Sequence, residues 1–295
     1  MNRKQFIQSL GLFALAGGTL NHKSLFKMID NKNNNISRMP ALFVGHGSPM
    51  YAIEENEFVQ KWRNLGDELP KPKAIIAVSA HWETRGTQVT AMQNPKTIHD
   101  FGGFPQELYA VEYPAPGSPE LARETIKDIH GTPVSADEKW GLDHGTWSVI
   151  RRIYPKANIP IIQMSLDYNK SPKEHYELAK ELAAFRDKGV MIIGSGNIVH
   201  NLRQVAWDRP DDEEYGHDWA IEANELVKKL IVEGNHQALI DYKSLGRAVQ
   251  LAAPSPDHFL PLLYALALKR DDEEVSFFND KAVMGSLTMT SLKIG

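Results

Sequence analysis

From Met39 onward, short apolar runs alternate with stretches of helical periodicity, as expected for strands and helices wound in turn. Candidate strands are residues 41–45, 74–79, 159–166 and 190–194, each nearly continuous in apolar side chains. An unbroken apolar run needs cover on both faces, so these four are expected inside a sheet with helices on either side. Residues 285–294 alternate instead, through Leu287, Met289, Ser291 and Lys293, and are expected at a sheet edge. Helix starts are marked at Ser118-Pro119-Glu120, Ser171-Pro172-Lys173-Glu174 and Ser255-Pro256-Asp257, each a serine N-cap with proline in the first turn. Ser171 with Glu174 fits a capping box. The helix that follows carries Leu178, Leu182 and Phe185 on one face and stops near Gly189, just before the strand at Val190. Residues 97–117, rich in Gly and Pro, are expected to form a long structured loop over the strand ends. The expected fold is therefore α/β: a single domain with a central, mostly parallel or mixed sheet flanked by helices. Its active site is expected at the C-terminal ends of the strands.

The first 38 residues differ in character. Met1-Asn2-Arg3-Lys4-Gln5 is basic, residues 6–20 are largely apolar with small side chains, and residues 21–38 are polar and Asn-rich. This resembles an export signal followed by a linker, and Arg3-Lys4-Gln5-Phe6-Ile7 resembles a twin-arginine signal with lysine in the second place. The expectation is export to the periplasm; the alternative is a plain extension on a cytoplasmic protein. Residues 39–295 form the expected catalytic domain.

Composition narrows the chemistry. The chain has 295 residues, 42% hydrophobic and 24% charged, with a net charge of −4, so it offers no basic footprint for nucleic acid. Asp211-Asp-Glu-Glu and Asp271-Asp-Glu-Glu are short and are expected to be solvated. There is no cysteine, which excludes disulfides, thiolate nucleophiles and Cys-ligated metals and leaves His, Asp and Glu as the strong metal ligands.

Four of the 11 histidines share a context. His46, His81, His200 and His258 lie where a short apolar strand gives way to a loop or a helix begins, beside the small residues Gly45, Gly47, Ala80 and Gly196. Distant side chains at one sheet edge converge, and neutral imidazole is the commonest protein metal ligand, so a mononuclear metal site follows; a buried, hydrogen-bonded structural histidine is the alternative for any one of them. His144, with Asp143 or Asp137 to orient it, and His99 are candidates for contacting substrate or for holding a loop. His22 falls in the linker, and His130, His175, His217 and His236 fall in or beside expected surface helices without a functional context.

Seven segments carry a resemblance: Gly45-His-Gly-Ser-Pro-Met, Ser79-Ala-His-Trp, Thr97-Ile-His-Asp-Phe-Gly-Gly-Phe-Pro, Tyr113-Pro-Ala-Pro-Gly, Asp143-His-Gly-Thr-Trp, Gly196-Asn-Ile-Val-His-Asn and Pro256-Asp-His-Phe-Leu-Pro-Leu. In the same order, from Met39 to the C-terminus, they resemble the class III extradiol ring-cleavage dioxygenases, and among these the 4,5-DOPA dioxygenase extradiol group. The resemblance implies one divalent metal held by His46, His81 and His258. It implies that His200 acts as the acid/base catalyst, near enough to the metal to be counted among the ligands, and that His144 contacts substrate and assists catalysis. Trp82 and Phe104 are expected to wall the aromatic ring. Partners would be a small catechol and O2. Oxygenation needs Fe(II), because Zn(II) has no accessible redox step, yet zinc binds such imidazoles more tightly and is plausible in isolated protein. The rival readings are a zinc hydrolase with His200 as base and a tetrapyrrole-metal chelatase-like metal-binding protein. A serine hydrolase is weaker, because Gly194-Ser-Gly lacks the nucleophile-elbow spacing.

Overall fold

Side chains of the first strand, β1 (Ala41–Gly45), divide between two cores, Ala41 and Phe43 entering one, Leu42 and Val44 the other. This division recurs in β2 (Ala74–Thr84), where Ile76 and Val78 face one way and Ile75 and Ala77 the other. The apolar runs are unbroken because both faces are covered. The computed structural model describes residues 38–295; the signal-like segment and nearly all of its linker, with His22, lie outside the described residues.

The remaining strands of the main sheet are β3 (Thr87–Thr90), β4 (Val134–Asp137), β5 (Ile161–Asp167), β6 (Val190–Gly196), β7 (Val275–Phe278) and β8 (Ser291–Ile294). Their order is β4-β3-β5-β2-β6-β1-β8-β7. The central four, β5, β2, β6 and β1, are parallel; β3 joins antiparallel to β5 and β8 antiparallel to β1. One face is covered by α1 (Glu57–Glu68), through Phe58, Val59, Trp62 and Leu65, and by α3 (His144–Ile153). The other face is packed by α2 (Pro119–Asp128), α4 (Pro172–Lys180), α5 (Ala183–Asp187), α6 (Asp218–Val232), α7 (Arg247–Ala252) and α8 (Leu260–Ala267). This is the expected α/β architecture. Among the described residues no helix is long and apolar enough to cross a membrane.

The serines open two helices as expected. Ser118 accepts from the Leu121 amide at 3.1 Å, and Ser171 and Glu174 form the full capping box. Four expectations change. The helix expected to run through Leu178, Leu182 and Phe185 is two, α4 and α5, although all three side chains share the same core. Ser255-Pro256-Asp257 does not cap a helix: residues 255–259 form a turn and α8 begins at Leu260, with Phe259 at the cap position. The alternating stretch 285–294 is not an edge strand. It contains a two-residue strand, Leu287–Thr288, and then β8, which lies between β1 and β7 with Ser291, Leu292 and Ile294 buried. The loop 97–117 holds a helical turn, Gln106–Tyr109, that buries Leu108.

Candidate active site

Three parallel strands end at one place. His46 follows the last residue of β1; His81 lies inside β2, which continues to Thr84 beyond a register shift between Val78 and Glu83; and Gly196, closing β6, receives the segment bearing His258. A Cβ on Gly196 would approach the His258 carbonyl oxygen to 2.2 Å, so only glycine lets that segment lie against the strand. The Asn197 amide donates to the same carbonyl at 2.9 Å. His144 is the first residue of α3 and Asp143 its N-cap, whose carboxylate accepts from the Thr146 amide at 3.1 Å.

The imidazoles of His46, His81 and His258 meet, with ring centroids 4.9, 5.3 and 5.0 Å apart and one nitrogen of each within 4.8 Å of the others. Their hydrogen bonds identify which nitrogens those are. Ser195 Oγ donates to the Gly145 carbonyl, so at 3.1 Å from His46 Nδ1 it accepts, placing the His46 proton on Nδ1. The Asp257 carboxylate accepts from His258 Nδ1. The Asp100 carboxylate lies 3.6 Å from His81 Nδ1. The Nε2 of His46 and of His258 is thereby left with a lone pair, and the carboxylate charge beside His81 Nδ1 favours the same tautomer there. His46 Nε2 and His81 Nε2 are 3.1 Å apart, and His258 Nε2 is buried without a hydrogen-bond partner. Lone pairs brought together in this way repel unless a cation lies between them. Two nitrogens each about 2.1 Å from one ion stand roughly 3.0–3.4 Å apart, so the spacing fits. Burial, then the neighbouring imidazoles, push His46 and His81 well below the usual histidine range, which keeps them neutral as ligands must be.

His200 is the fourth expected histidine. Its ring lies parallel on that of His258, with centroids 3.4 Å apart and planes at 5°, outside the group of three converging nitrogens. Burial and then His258 push it down to about 3, leaving a neutral imidazole beside the trio. His144 completes the cluster, its centroid 3.9 Å from His81 and 5.6 Å from His46. Its orienting partner is neither Asp143 nor Asp137, which the sequence suggested. Asp143 is engaged by Thr146 and the Gln163 amide, and Asp137 by the Lys139 and Trp140 amides. Instead Asp100 reaches in from the 97–117 loop and accepts from His144 Nδ1 at 3.0 Å. Sequence reading missed this residue, and its place beside His99 in the loop motif was the only signal.

The other residues singled out in the sequence have mixed outcomes. His99 Nε2 donates to the Val111 carbonyl at 3.0 Å and packs on Trp147, holding the loop. His175 is buried rather than on the surface, bonded to the Tyr264 hydroxyl at 3.0 Å and the Asp167 carbonyl at 3.2 Å. Trp82 stacks on Trp140 at 5.7 Å. Phe104 packs edge-on against Phe101, whose ring in turn meets that of His144 at 5.5 Å.

Comparison with known proteins gives the family. Residues 36–291 match the family described as the catalytic LigB subunit of aromatic ring-opening dioxygenase. The chain is 48% identical to a 4,5-DOPA dioxygenase extradiol of Escherichia coli K12, over 88% of this chain and 96% of that protein. It is 34% identical to a protein of the same name from Beta vulgaris, over 85% and 94%. A solved structure of an uncharacterized Escherichia coli K12 protein, 41% identical, superposes with a TM-score of 0.76 over 88% of this chain and all of that one. A match spanning nearly the whole described fold, and every quoted histidine motif within it, places this chain in the LigB family of aromatic ring-opening, class III extradiol dioxygenases.

Proposed function

We propose that this protein opens the ring of a small DOPA-like catechol with O2, using one ion held by His46, His81 and His258. The observation that carries this reading is a surplus of bases. Three imidazoles converge, two with Nδ1 held by an acceptor and the third with Nδ1 facing the Asp100 carboxylate, while two more, His200 and His144, stand beside that trio. A site that only stored a metal has no use for the extra pair. The names of the relatives from Escherichia coli and Beta vulgaris support a DOPA-like catechol.

A redox-active ion such as Fe(II), held by His46, His81 and His258, would supply Lewis acidity toward the catechol and an electron path to O2, chemistry closed to Zn(II). The remaining work belongs to the chain. Neutral His200, held flat on His258, takes the proton of one catechol hydroxyl and returns it as the ring opens. His144, with its proton kept on Nδ1 by Asp100, presents Nε2 to the second hydroxyl. Phe101 and Phe104 form the apolar side of the space beside His144.

Anaerobic reconstitution with Fe(II), followed by O2 uptake and absorbance measurements over a panel of catechols, tests the reading. Oxygen consumption with a yellow ring-opened product is expected. Hydrolysis under nitrogen with Zn(II) and no oxygen uptake would replace it with the hydrolase reading. In the His200→Phe variant iron content should match wild type while turnover falls about 100-fold or more; loss of iron instead makes His200 a ligand.

A further inference from the structure

We propose that Asp100 is a positioning residue for two histidines at once. Its single carboxylate fixes the ring tautomers of His144 and His81, so that both present Nε2 to the reaction space. This assignment rests on the dioxygenase reading for its consequence in turnover but not for its geometry.

The carboxylate grips His144 twice. Oδ1 accepts from the His144 backbone amide at 2.9 Å, and Oδ2 accepts from ring Nδ1 at 3.0 Å. Backbone and ring of one residue are thus tied to one planar group, which removes rotation about the side-chain bonds as well as choosing the tautomer. The same Oδ2 lies 3.6 Å from His81 Nδ1, and the two rings are 3.9 Å apart. An ionised carboxylate only accepts, so it favours a proton on Nδ1 of each ring and a lone pair on each Nε2. With a backbone and a ring N–H of His144 donating to its two oxygens, the Asp100 carboxylate is placed as an acceptor on both.

The loop that delivers Asp100 is anchored on both sides. Trp147 Nε1 donates to the Ile98 carbonyl at 2.8 Å, and the Tyr113 amide donates to Thr97 Oγ1 at 2.9 Å. With the His99–Val111 bond, these place the carboxylate by rigid structure rather than by chance contact.

Asp100→Asn tests the assignment, because the amide keeps shape while reversing one polarity. Its oxygen can still accept from the His144 amide, but its NH2 would face Nδ1 as a donor and drive the proton to Nε2. In the Zn(II)-loaded protein, long-range proton–nitrogen NMR should find His144 protonated on Nδ1 in wild type and on Nε2 in the variant. Zn(II) affinity, measured by competition with a chromophoric chelator, should fall about 10- to 100-fold through His81. With Fe(II) and a catechol, kcat should fall about 100-fold or more while KM moves less than about threefold.

Unchanged tautomers with Zn(II) affinity within about twofold of wild type would overturn the proposal. Should the variant fold poorly, wild-type spectra decide alone through His144, which the ion does not hold: a proton on its Nδ1 supports the assignment and a proton on its Nε2 refutes it. Wild type inactive on every catechol, with tautomer and affinity still altered in the variant, would sink the dioxygenase reading and leave the positioning role standing.

Discussion

At the scale of single residues the site depends on two kinds of atom, imidazole nitrogens and missing Cβ atoms. Gly145 shows the second. A Cβ there would lie 2.7 Å from Ser79 Oγ and 2.9 Å from His81 Cδ2, so alanine must push the His81 ring out of line. In the Gly145→Ala protein, metal content measured after reconstitution should drop well below one ion per chain, with folding stability lower by about 1–3 kcal/mol. A variant that binds metal like wild type would mean that the ring has room to move. The main histidines were legible in the sequence because each carries its own local context: an apolar run, a small residue and the ring. Asp100 was not. It lies 44 positions from His144, and nearness along the chain favoured Asp143, whose carboxylate is spent on capping its own helix. Glu273 was misread for a similar reason. Within Asp271-Asp-Glu-Glu nothing separates a solvated acid from a buried one, yet its side chain is 6% exposed and paired to Arg186.

Elements were legible where local hydrogen bonding decides them and obscure where packing does. The Ser171–Glu174 box starts α4 as read, with each side chain satisfying the other residue's backbone amide. The turn at Ser255, with the same Ser-Pro opening, starts no helix, because its backbone is recruited elsewhere: the His258 carbonyl takes the Asn197 amide. The break between α4 and α5 leaves the apolar periodicity intact, since Leu178, Leu182 and Phe185 reach one core from two short helices. Glu181, at the junction, receives the His130 and Gly131 amides, tying the break to the end of α2. Alternation in 285–294 signalled a strand but not its neighbours, because β7, which pairs with its outer side, is itself a short and weakly apolar run. The cap supplies a clean test. Ser171→Ala should lower stability by about 1 kcal/mol in urea unfolding and leave catechol turnover unchanged, since Ser171 and Glu174 bond to each other and to none of the clustered histidines. A loss of turnover at full stability would show that α4 contributes to the site.

At the scale of the whole molecule, the cluster is held in register by the ends of the sheet remote from it. Arg186, fully buried in the last turn of α5, donates to the carbonyls of Met39 just before β1 and of Leu268 just after α8, each at 2.7 Å, and forms two bonds to Glu273. One guanidinium therefore fastens the strand that delivers His46 and the helix that follows His258, both from the end opposite the site. A buried charge needs its partner, so Glu273→Gln should destabilise by about 3 kcal/mol at neutral pH. The pair also gives stability a pH signature. Burial alone would raise the Glu273 carboxyl, but Arg186 overcomes this and holds it below the ordinary 4.5. A carboxyl depressed on folding contributes its full stability above 4.5 and loses it as pH falls from there through the lower, folded value. Denaturant unfolding between pH 6 and pH 3 should therefore show wild type losing stability faster than Glu273→Gln, the two curves converging toward acid. Parallel curves over that range would mean that Glu273 titrates alike in folded and unfolded chains, and that the buried arginine is held by carbonyl groups alone.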